Sequence, residues 1–522
     1  MKRFKIPVLA LLVALMVLTP ASAVFAREGQ GQIGFWGGIT EGVPLPMTTE
    51  QLILDATTGG RPDANITNMV YTEIIWLDGT PREFEGLMDM RVQNAGGRSA
   101  NANFGTRTVS YNIRPSATTD EDLLLTRNVT FRVNWRRVGN QVIETYSVTR
   151  WTETVTIGGT VYTLDQSRSN HEVSIIRDIT PGVTYYRGEI SSRSVFTNDG
   201  TVVTHHVMGQ IYGFASAWSA AETHRLHGMV EMANGSQVHY SIVPSVAVSK
   251  ELQFSVSEPT LISFDGNYRE VTTNQSGLNF VINARPNSMY WMPSSGRATI
   301  DSFNRFEQLR APQLNHLRGH FAYQDIRRLF AMEIITVDPM HFRPDQAVTR
   351  AEFMTMLARA AKLPIDQAHR TPPAPPRNGR AQQVTLTFPD LWPNRPDYAY
   401  LRAINTAGIA VGRGDGHFHP DEIIFREEAY VLALRTLGLS NLGLEPVPLL
   451  IYVDNDAISY WALNDINAAT RIGLIAPDNY GYLHPQSYLT KAQAAALINR
   501  LIEYMRHELM QDYTENIINF MN

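Results

Sequence analysis

The chain has 522 residues, a formal net charge of −5 and no cysteine, and 43% of its residues are hydrophobic. This length exceeds what one ordinary core supports, so two to four domains are expected, and the apolar fraction excludes wholesale disorder. The acidic balance argues against a nucleic-acid partner, because binding to phosphates requires a basic surface. The lack of cysteine excludes disulfides, zinc–thiolate centres, cysteine nucleophiles and a lipid-modified cysteine.

Residues 1–26 have the pattern of a secretory signal peptide. A basic segment, residues 2–5, precedes an apolar run from Ile6 to Leu18, and small residues end two candidate cleavage sites at Ala23 and Ala26. The apolar run is short for a membrane-spanning helix, and no second run of about 18 apolar residues follows it. We therefore expect an exported protein without a helical membrane span.

Residues 27–300 are predicted to form an all-β domain. Apolar and polar residues alternate from Val129 to Arg136, which is typical of a strand with one buried face. Glycine and asparagine pairs such as Gly139-Asn140 and Gly158-Gly159 mark tight hairpins between long strands, for example Gln141–Ile157 and Thr160–Ile176. The pattern predicts an antiparallel meander that closes as a sandwich or barrel, or stays an extended sheet.

Chemical motifs in this β region are weak. Its histidines have no partner carboxylate in register, and adjacent histidines point to opposite faces of a strand. Its carboxylates could form a glycosidase pair only if the fold brought them together. We predict no catalytic residue, no cofactor and no metal site. The residues considered are His205, His206, His224, His227 and His239, and Glu144, Glu153, Glu189 and Glu231.

Past about residue 300 the hydrophobic period changes to that of helices, as in Arg350–Ala361, Glu427–Leu437 and Ala492–His507. Residues 369–386 are rich in proline and are predicted to form an exposed linker. The domain boundary is expected near residues 284–315. Residues 506–522 are predicted to form a helical tail.

The helical half contains a threefold repeat. Each copy opens with a short segment that contains an aromatic residue, at residues 320–322, 397–399 and 460–462. The distances from the start of this opening segment to the capping position of the copy's second helix are 29, 28 and 30 residues. Two of these starts, residues 349–352 and 490–493, read Thr-Arg-Ala-Glu and Thr-Lys-Ala-Gln, which are capping boxes. The openers Phe321, Tyr398 and Trp461 are predicted to be core residues. A repeat of this kind indicates stacked units that share one core.

The repeat resembles the S-layer homology family. The second copy matches best, with Phe388-Pro389-Asp390, Gly408-Ile409, Asp415-Gly416 and Pro420 in the family's positions. The third copy has Tyr452-Val453-Asp454 and the Thr490 motif, whereas the first lacks the F-x-D opener. We assign the three modules to residues 315–368, 387–441 and 450–505.

The resemblance implies an all-α, pseudo-threefold assembly whose inter-module grooves bind secondary cell-wall polysaccharide, commonly bearing ketal-pyruvate, or peptidoglycan. A guanidinium offers a ketal carboxylate a bidentate clamp, and unpaired N–H groups at a helix start would also suit an anion. In the third module Lys491 takes the place of the arginine, so the positive charge is kept but the bidentate geometry of a guanidinium is lost. The candidate polysaccharide-binding residues are Arg350, Glu352, Asp415, Arg426, Glu428, Lys491 and Gln493.

The predicted function is therefore noncovalent anchoring of a structural or binding β domain at the cell wall, with self-association in a surface layer as a further option. Two alternatives stay open. One is a wall-anchored enzyme acting on polysaccharide, with the β domain catalytic, although the sequence favours a non-enzymatic role. The other is an outer-membrane β-barrel tethered by the modules, in which Arg132, Arg136 and Arg150 would face the lumen.

Overall fold

A computed structural model describes residues 37–40, 64–96, 103–256, 266–285, 292–300, 304–365, 388–443 and 450–513. The predicted signal peptide and the predicted proline-rich linker lie outside these described residues. No helix among them is both long enough and apolar enough to cross a membrane.

The first half of the described chain forms one antiparallel sheet of fifteen strands in which most neighbours in sequence are neighbours in space, as the hairpin signals predict. The strands are β1 (Ile39–Thr40), β2 (Ala64–Ile75), β3 (Arg82–Gly96), β4 (Phe104–Pro115), β5 (Leu123–Val138), β6 (Gln141–Ile157), β7 (Thr160–Leu164), β8 (Asn170–Ile179), β9 (Val183–Asn198), β10 (Thr201–Ser216), β11 (Ser219–Met232), β12 (Gln237–Phe254), β13 (Tyr268–Arg285), β14 (Met292–Ile300) and β15 (Arg305–Leu309).

Two details differ from the sequence prediction. The segment Thr160–Ile176 is not one strand, because Asp165 caps a short 3-10 helix, Gln166–Arg168, that separates β7 from β8. The sheet also continues past residue 300, since β15 pairs with β13.

The sheet curves around one apolar core. Along β5 the side chains alternate between buried and exposed, so Val129, Phe131 and Val133 face inward. One cluster of buried residues collects side chains from β1 and β2 through β14, and β2 approaches β14. The short strand β1 pairs with β2, while Ser276 Oγ of β13 donates to the carbonyl of Thr40 at 2.6 Å. Strands from the two ends of the sheet order thereby meet around the same interior.

Two arginine clusters lie inside this core. Arg127 bridges Glu73 and Glu153, with N–O distances of 2.7 and 2.8 Å. Arg107 and Arg177 both pair with Glu144, which is completely buried. Each buried carboxylate thus contacts at least one guanidinium, although two carboxylates share Arg127 and two guanidinium groups share Glu144.

The second half is mainly helical. Its helices are α1 (Tyr323–Ala331), α2 (Arg350–Ala360), α3 (Tyr398–Thr406), α4 (Arg426–Leu437), α5 (Leu463–Arg471) and α6 (Lys491–Glu503), followed by a π-helical turn (Tyr504–Glu508) and α7 (Leu509–Asp512). Helices α2, α4 and α6 are the second helices of the three repeats. Isolated β-bridges join the residues just before them, so the unit is not purely helical.

The sheet sits on the carboxyl ends of these three second helices. Trp218 Nε1 donates to the carbonyl of Ala360 at 2.8 Å, and Tyr185 OH donates to that of Leu437 at 3.0 Å. The hydroxyl of Ser219 donates to the carbonyl of Met505, in the turn that continues α6. The last carbonyls of a helix have no partner within the helix, so the sheet satisfies groups that would otherwise be unpaired.

Apolar packing reinforces these contacts. The hairpin tip between β10 and β11, together with Val183, Tyr185 and Phe214, belongs to the same buried cluster as the helical repeats. Trp218 is 2% exposed and also contacts two cations, with the Arg506 guanidinium 4.6 Å and Lys362 Nζ 5.1 Å from its ring centroid. Sheet and helices therefore share a core and should unfold together.

Replacing Trp218 with alanine tests this shared core. Loss of a large buried aromatic side chain should lower the free energy of unfolding by about 3–5 kcal/mol. Denaturant unfolding of the mature chain, followed by circular dichroism, measures the change. The control is Met208→Ala on the exposed face of β10, where the side chain is 64% exposed and the effect should stay within about 0.5 kcal/mol. Equal effects of the two substitutions would contradict a shared core.

Candidate functional site

Three backbone hydrogen bonds close a ring at the centre of the helical repeats. The Val348 N–H donates to the carbonyl of Leu489 at 2.9 Å, Leu489 donates to Ile424 at 3.1 Å, and Ile424 donates to Val348 at 3.2 Å. Each residue lies two positions before a second helix. The pseudo-threefold arrangement implied by the resemblance is therefore present as a closed cycle of donors and acceptors.

The first N–H groups of each second helix extend this cycle, because they donate to carbonyls of the next repeat. From α2, Arg350 donates to Glu422 and Ala351 to Pro420, both at 2.8 Å. The N-terminus of α4 donates to Ser487 and Pro485, and that of α6 to Gln346 and Pro344. The expectation of unpaired N–H groups at these helix starts is therefore wrong for the first two donors of each helix, because a neighbouring loop occupies them.

Side chains cap two of the three helices. Thr349 with Glu352, and Thr490 with Gln493, form the reciprocal capping boxes that the sequence predicts. Helix α4 has no side-chain cap, since Phe425 stands at the capping position. The ring of Phe425 instead stacks on Tyr488 of the third repeat, with 5.0 Å between centroids.

We call a seam the place where the start of one second helix meets the next repeat. The basic residues that begin α2, α4 and α6 lie at the three seams, and their partners differ. At the seam between repeats 1 and 2, Arg350 forms an ion pair with Glu428. At the seam between repeats 3 and 1, Lys491 Nζ lies 2.8 Å from Glu352 Oε1. Both pairs join the first residue of one helix to the third residue of the next second helix around the ring.

By the same rule, Arg426 at the seam between repeats 2 and 3 should face position 493, which holds an uncharged glutamine. Arg426 Nε donates to Tyr430 OH on its own helix at 3.1 Å. Among the residues that the structure describes, Arg426 forms no ion pair, and its other side-chain N–H groups have no protein acceptor. The seam between repeats 2 and 3 therefore carries an uncompensated, half-buried cation.

Arg350 occupies a different environment. Its side chain is 2% exposed, and Nη2 donates to the carbonyl of Phe418 at 3.1 Å. Burial, reinforced by the nearby charge of Arg413, lowers the pKa of Arg350 to about 10, so the group stays charged at neutral pH. A guanidinium so enclosed holds repeats 1 and 2 together and has little surface to offer a ligand.

Sequence reasoning missed the role of the F-x-D carboxylates. Asp390 accepts hydrogen bonds from the backbone N–H groups of Phe418 and His419, and Asp454 does the same for Leu483 and His484, at 2.7–3.0 Å. Each carboxylate thus fixes the loop whose proline carbonyl receives the neighbouring helix. The F-x-D motif was the available signal, and the first repeat, which lacks it, has no equivalent clamp within the described residues.

The remaining candidate, Asp415, lies in an exposed glycine-rich turn of the second repeat. Its carboxylate accepts the His417 N–H at 3.0 Å and contacts His419. Two aromatic openers also differ from expectation: Phe321 is 73% exposed and Trp461 53% exposed, whereas Tyr398 is buried as predicted. The structure thus brings together Arg350 with Glu428 and Glu352 with Lys491, and places Asp415 in a separate turn.

Comparison with known families identifies the repeats. The model of the S-layer homology domain matches residues 314–354, 387–429 and 452–495. The chain carries three tandem S-layer homology domains. These domains imply attachment to the cell wall.

Several curated proteins are similar to the chain. The exoglucanase XynX of Acetivibrio thermocellus is 25% identical over 255 residues, which is 47% of this chain and 21% of the relative. Cell surface glycoprotein 1 of the same species is 29% identical over 31% of this chain and 7% of its own length. The S-layer protein of Bacillus licheniformis is 24% identical over 34% of this chain and 18% of its own length. The chain therefore covers about a fifth or less of each relative.

The three domains and the cell-surface relatives indicate an exported protein located at the cell wall. In the described structure, the domain seams lie at the amino ends of α2, α4 and α6, whereas the sheet contacts their carboxyl ends. Helix α2 has 11 residues, and at 1.5 Å per residue this separates the two ends by roughly 16 Å.

Substitution of the two seam arginines should separate structural from exposed roles. Among the described residues, Arg350→Ala leaves Glu428 with only Arg413, 3.5 Å away, and it should lower the free energy of unfolding by about 3 kcal/mol, the lower end for a broken buried ion pair. Arg426→Ala should change it by less than about 1 kcal/mol, because no ion pair is lost. Guanidinium unfolding curves of both variants measure this difference. Equal destabilisation would show that the two arginines occupy equivalent environments.

Proposed function

We propose that the protein binds noncovalently to the bacterial cell wall through its S-layer homology domains, and that the seam between domains 2 and 3 is the main site for an acidic, pyruvylated secondary cell-wall polysaccharide. The observation that carries this proposal is the pairing pattern of the three seam cations. Two of them are neutralised by carboxylates of the next domain. Arg426 is left with a glutamine at the corresponding position.

The chemistry of Arg426 suits such a ligand. A ketal-pyruvate group is a fixed carboxylate, and a guanidinium can hold it through two parallel, charge-assisted hydrogen bonds. Because Nε already donates to Tyr430 OH, the guanidinium is oriented before the ligand arrives. A ligand carboxylate would then supply the negative charge that Glu352 and Glu428 supply at the other two seams.

The same seam offers an aromatic surface. Phe425 and Tyr488 stack across it, and Tyr488 is 56% exposed. At the corresponding bridges of the other seams, Thr349 pairs with Ile423 and Ala347 with Thr490. Aromatic rings with a polar tip pack well against the apolar faces of sugar rings. The seam between domains 2 and 3 therefore combines a cation with a sugar-stacking platform.

In this proposal the sheet is a display domain with a structural or binding role. It packs on the helix ends opposite the seams, so a wall polymer bound at the seams leaves the sheet directed away from the wall. Strands β2 and β14, near the two ends of the sheet order, approach each other around one core, which favours a closed scaffold over an extended sheet. Assembly with further copies in a surface layer remains a prediction.

The burial pattern supports this role over the two alternatives. Glu144 and Glu153, two of the carboxylates considered for glycoside hydrolysis, are buried in ion pairs with arginines. Such carboxylates are charge partners in a core and have no access to a substrate. Arg132, Arg136 and Arg150 are exposed on the face opposite the apolar core, whereas a lipid-embedded sheet would need them in its lumen.

Loss of the Arg426 side chain tests the proposed site. Arg426→Ala should weaken binding of the mature chain to a soluble pyruvylated wall fragment by about ten- to a hundredfold, the effect of one lost charge-assisted contact of roughly 1.5–3 kcal/mol. Isothermal titration calorimetry measures it, with the exposed Arg318→Ala as a charge-matched control. Unchanged affinity would exclude Arg426. Equal binding to walls stripped of their non-peptidoglycan polysaccharide would move the ligand to peptidoglycan.

Gln493→Glu provides a complementary test without removing the arginine. The new carboxylate should pair with Arg426 as Glu352 pairs with Lys491, and so should compete with the ligand. We expect a loss of affinity similar to that of Arg426→Ala, together with an unchanged or higher melting temperature. Wild-type affinity in a folded Gln493→Glu variant would contradict the role assigned to the missing carboxylate.

A further inference from the structure

A turn in domain 2, residues 412–422, places three metal-ligating side chains together. One ligand atom each from Asp415, His417 and His419 lies within 4.8 Å of the others. The backbone is shaped for this approach, since Gly414, Gly416 and His419 all have positive φ angles, of 84°, 84° and 55°. Asp415, His417 and His419 are spaced two residues apart, which places their side chains on one side of an extended segment, and the positive φ angles bend the chain so that the ligand atoms converge.

Second contacts hold the ligands in place. Asp415 Oδ1 accepts the His417 N–H at 3.0 Å, while Oδ2 lies 2.6 Å from His419 Nε2. His419 Nδ1 lies 2.9 Å from Glu422 Oε1, and its backbone N–H is held by Asp390. An imidazole whose Nδ1–H is bound to a carboxylate presents Nε2 as the ligand atom, which is the usual support for a metal-binding histidine.

The equivalent turns of the other domains lack one of the two histidines. Domain 3 has Asp478 with His484 at 3.1 Å, but Tyr482 stands where domain 2 has His417. Domain 1 has Asp338 with His341 at 2.7 Å, but Arg343 stands where domain 2 has His419. Within the described residues, the combination of two imidazoles and a carboxylate on one turn is specific to domain 2.

We infer that Asp415, His417 and His419 form a site for a divalent transition metal of the Zn²⁺ type. Two imidazole nitrogens and one carboxylate oxygen are the ligand set that Zn²⁺ and its neighbours prefer over Mg²⁺ or Ca²⁺. The metal would replace the proton shared between His419 Nε2 and Asp415 Oδ2, so binding releases a proton to solvent. Because the turn is exposed, a fourth position stays open to water. The sequence pattern predicted no metal site, since Asp415 and the two histidines are brought together by the turn alone.

The test is a calorimetric titration of the full mature chain, purified without a histidine tag, with Zn²⁺. We expect one equivalent per chain, and at least a tenfold loss of affinity in both His417→Ala and His419→Ala. The control His341→Ala, which removes the exposed histidine of the domain 1 turn, should leave the affinity unchanged. Co²⁺ bound in place of Zn²⁺ should give the visible absorption of a four-coordinate site. The His417→Ala and His419→Ala variants should both lose this absorption.

Tyr482→His tests whether this arrangement is sufficient. It places a second histidine beside Asp478 and His484, so a second equivalent of Zn²⁺ should bind. Absence of Zn²⁺ uptake by the wild-type chain, or uptake that is indifferent to both His417→Ala and His419→Ala, would overturn the inference. A folded Tyr482→His variant without a second equivalent would contradict the claim that the histidine pair and the aspartate suffice.

Discussion

The ring of backbone hydrogen bonds among Val348, Ile424 and Leu489 is the constraint on which the rest of the structure depends. Each bond joins two domains, so no domain can complete its own hydrogen bonding without the other two. The N-terminal N–H groups of α2, α4 and α6 extend the same dependence, because their acceptors lie in a neighbouring domain. A helix start that is buried without a partner is costly, which makes the closed set of three the stable unit.

The ring also determines what each end of the helices can do. At the amino ends, each seam brings the first residue of one helix next to the third residue of another. The net charge of a seam therefore depends on two residues that are far apart in the sequence. Glutamate at 352 and 428 neutralises Lys491 and Arg350, whereas Arg426, opposite Gln493, has no carboxylate partner among the residues that the structure describes. At the carboxyl ends, the free carbonyls are taken by the sheet. The proposed binding and display roles therefore lie at opposite ends of the same three helices.

Local patterns predicted much of this architecture. Alternation of polar and apolar residues identified the antiparallel strands, and the Thr349 and Thr490 motifs predicted capping boxes that the structure confirms. These features depend on residues a few positions apart. The interruption between β7 and β8 was missed because the helix that Asp165 caps has only three residues. So short a segment does not disturb the alternation of polar and apolar residues along the chain.

Nonlocal contacts could not be predicted in this way. The burial of Arg350 depends on Glu428 and Phe418, and that of Trp218 on Ala360 and Arg506, all distant in the chain. Phe321 and Trp461 were assigned to the core from residue type, but the helices they open bury the following alanine and isoleucine positions instead. The candidate binding residues therefore separated only in three dimensions, into ion pairs at two seams, helix caps, an exposed turn and, within the described residues, one cation without a carboxylate partner.

The seam between domains 2 and 3 is the proposed principal site for an acidic wall glycan. The most direct measurement is the stoichiometry with which a monovalent pyruvylated fragment binds the mature chain, determined by calorimetry at low salt. We expect one strong site per chain, which Arg426→Ala removes. Three equal sites, or one strong site that persists in Arg426→Ala, would contradict this proposal.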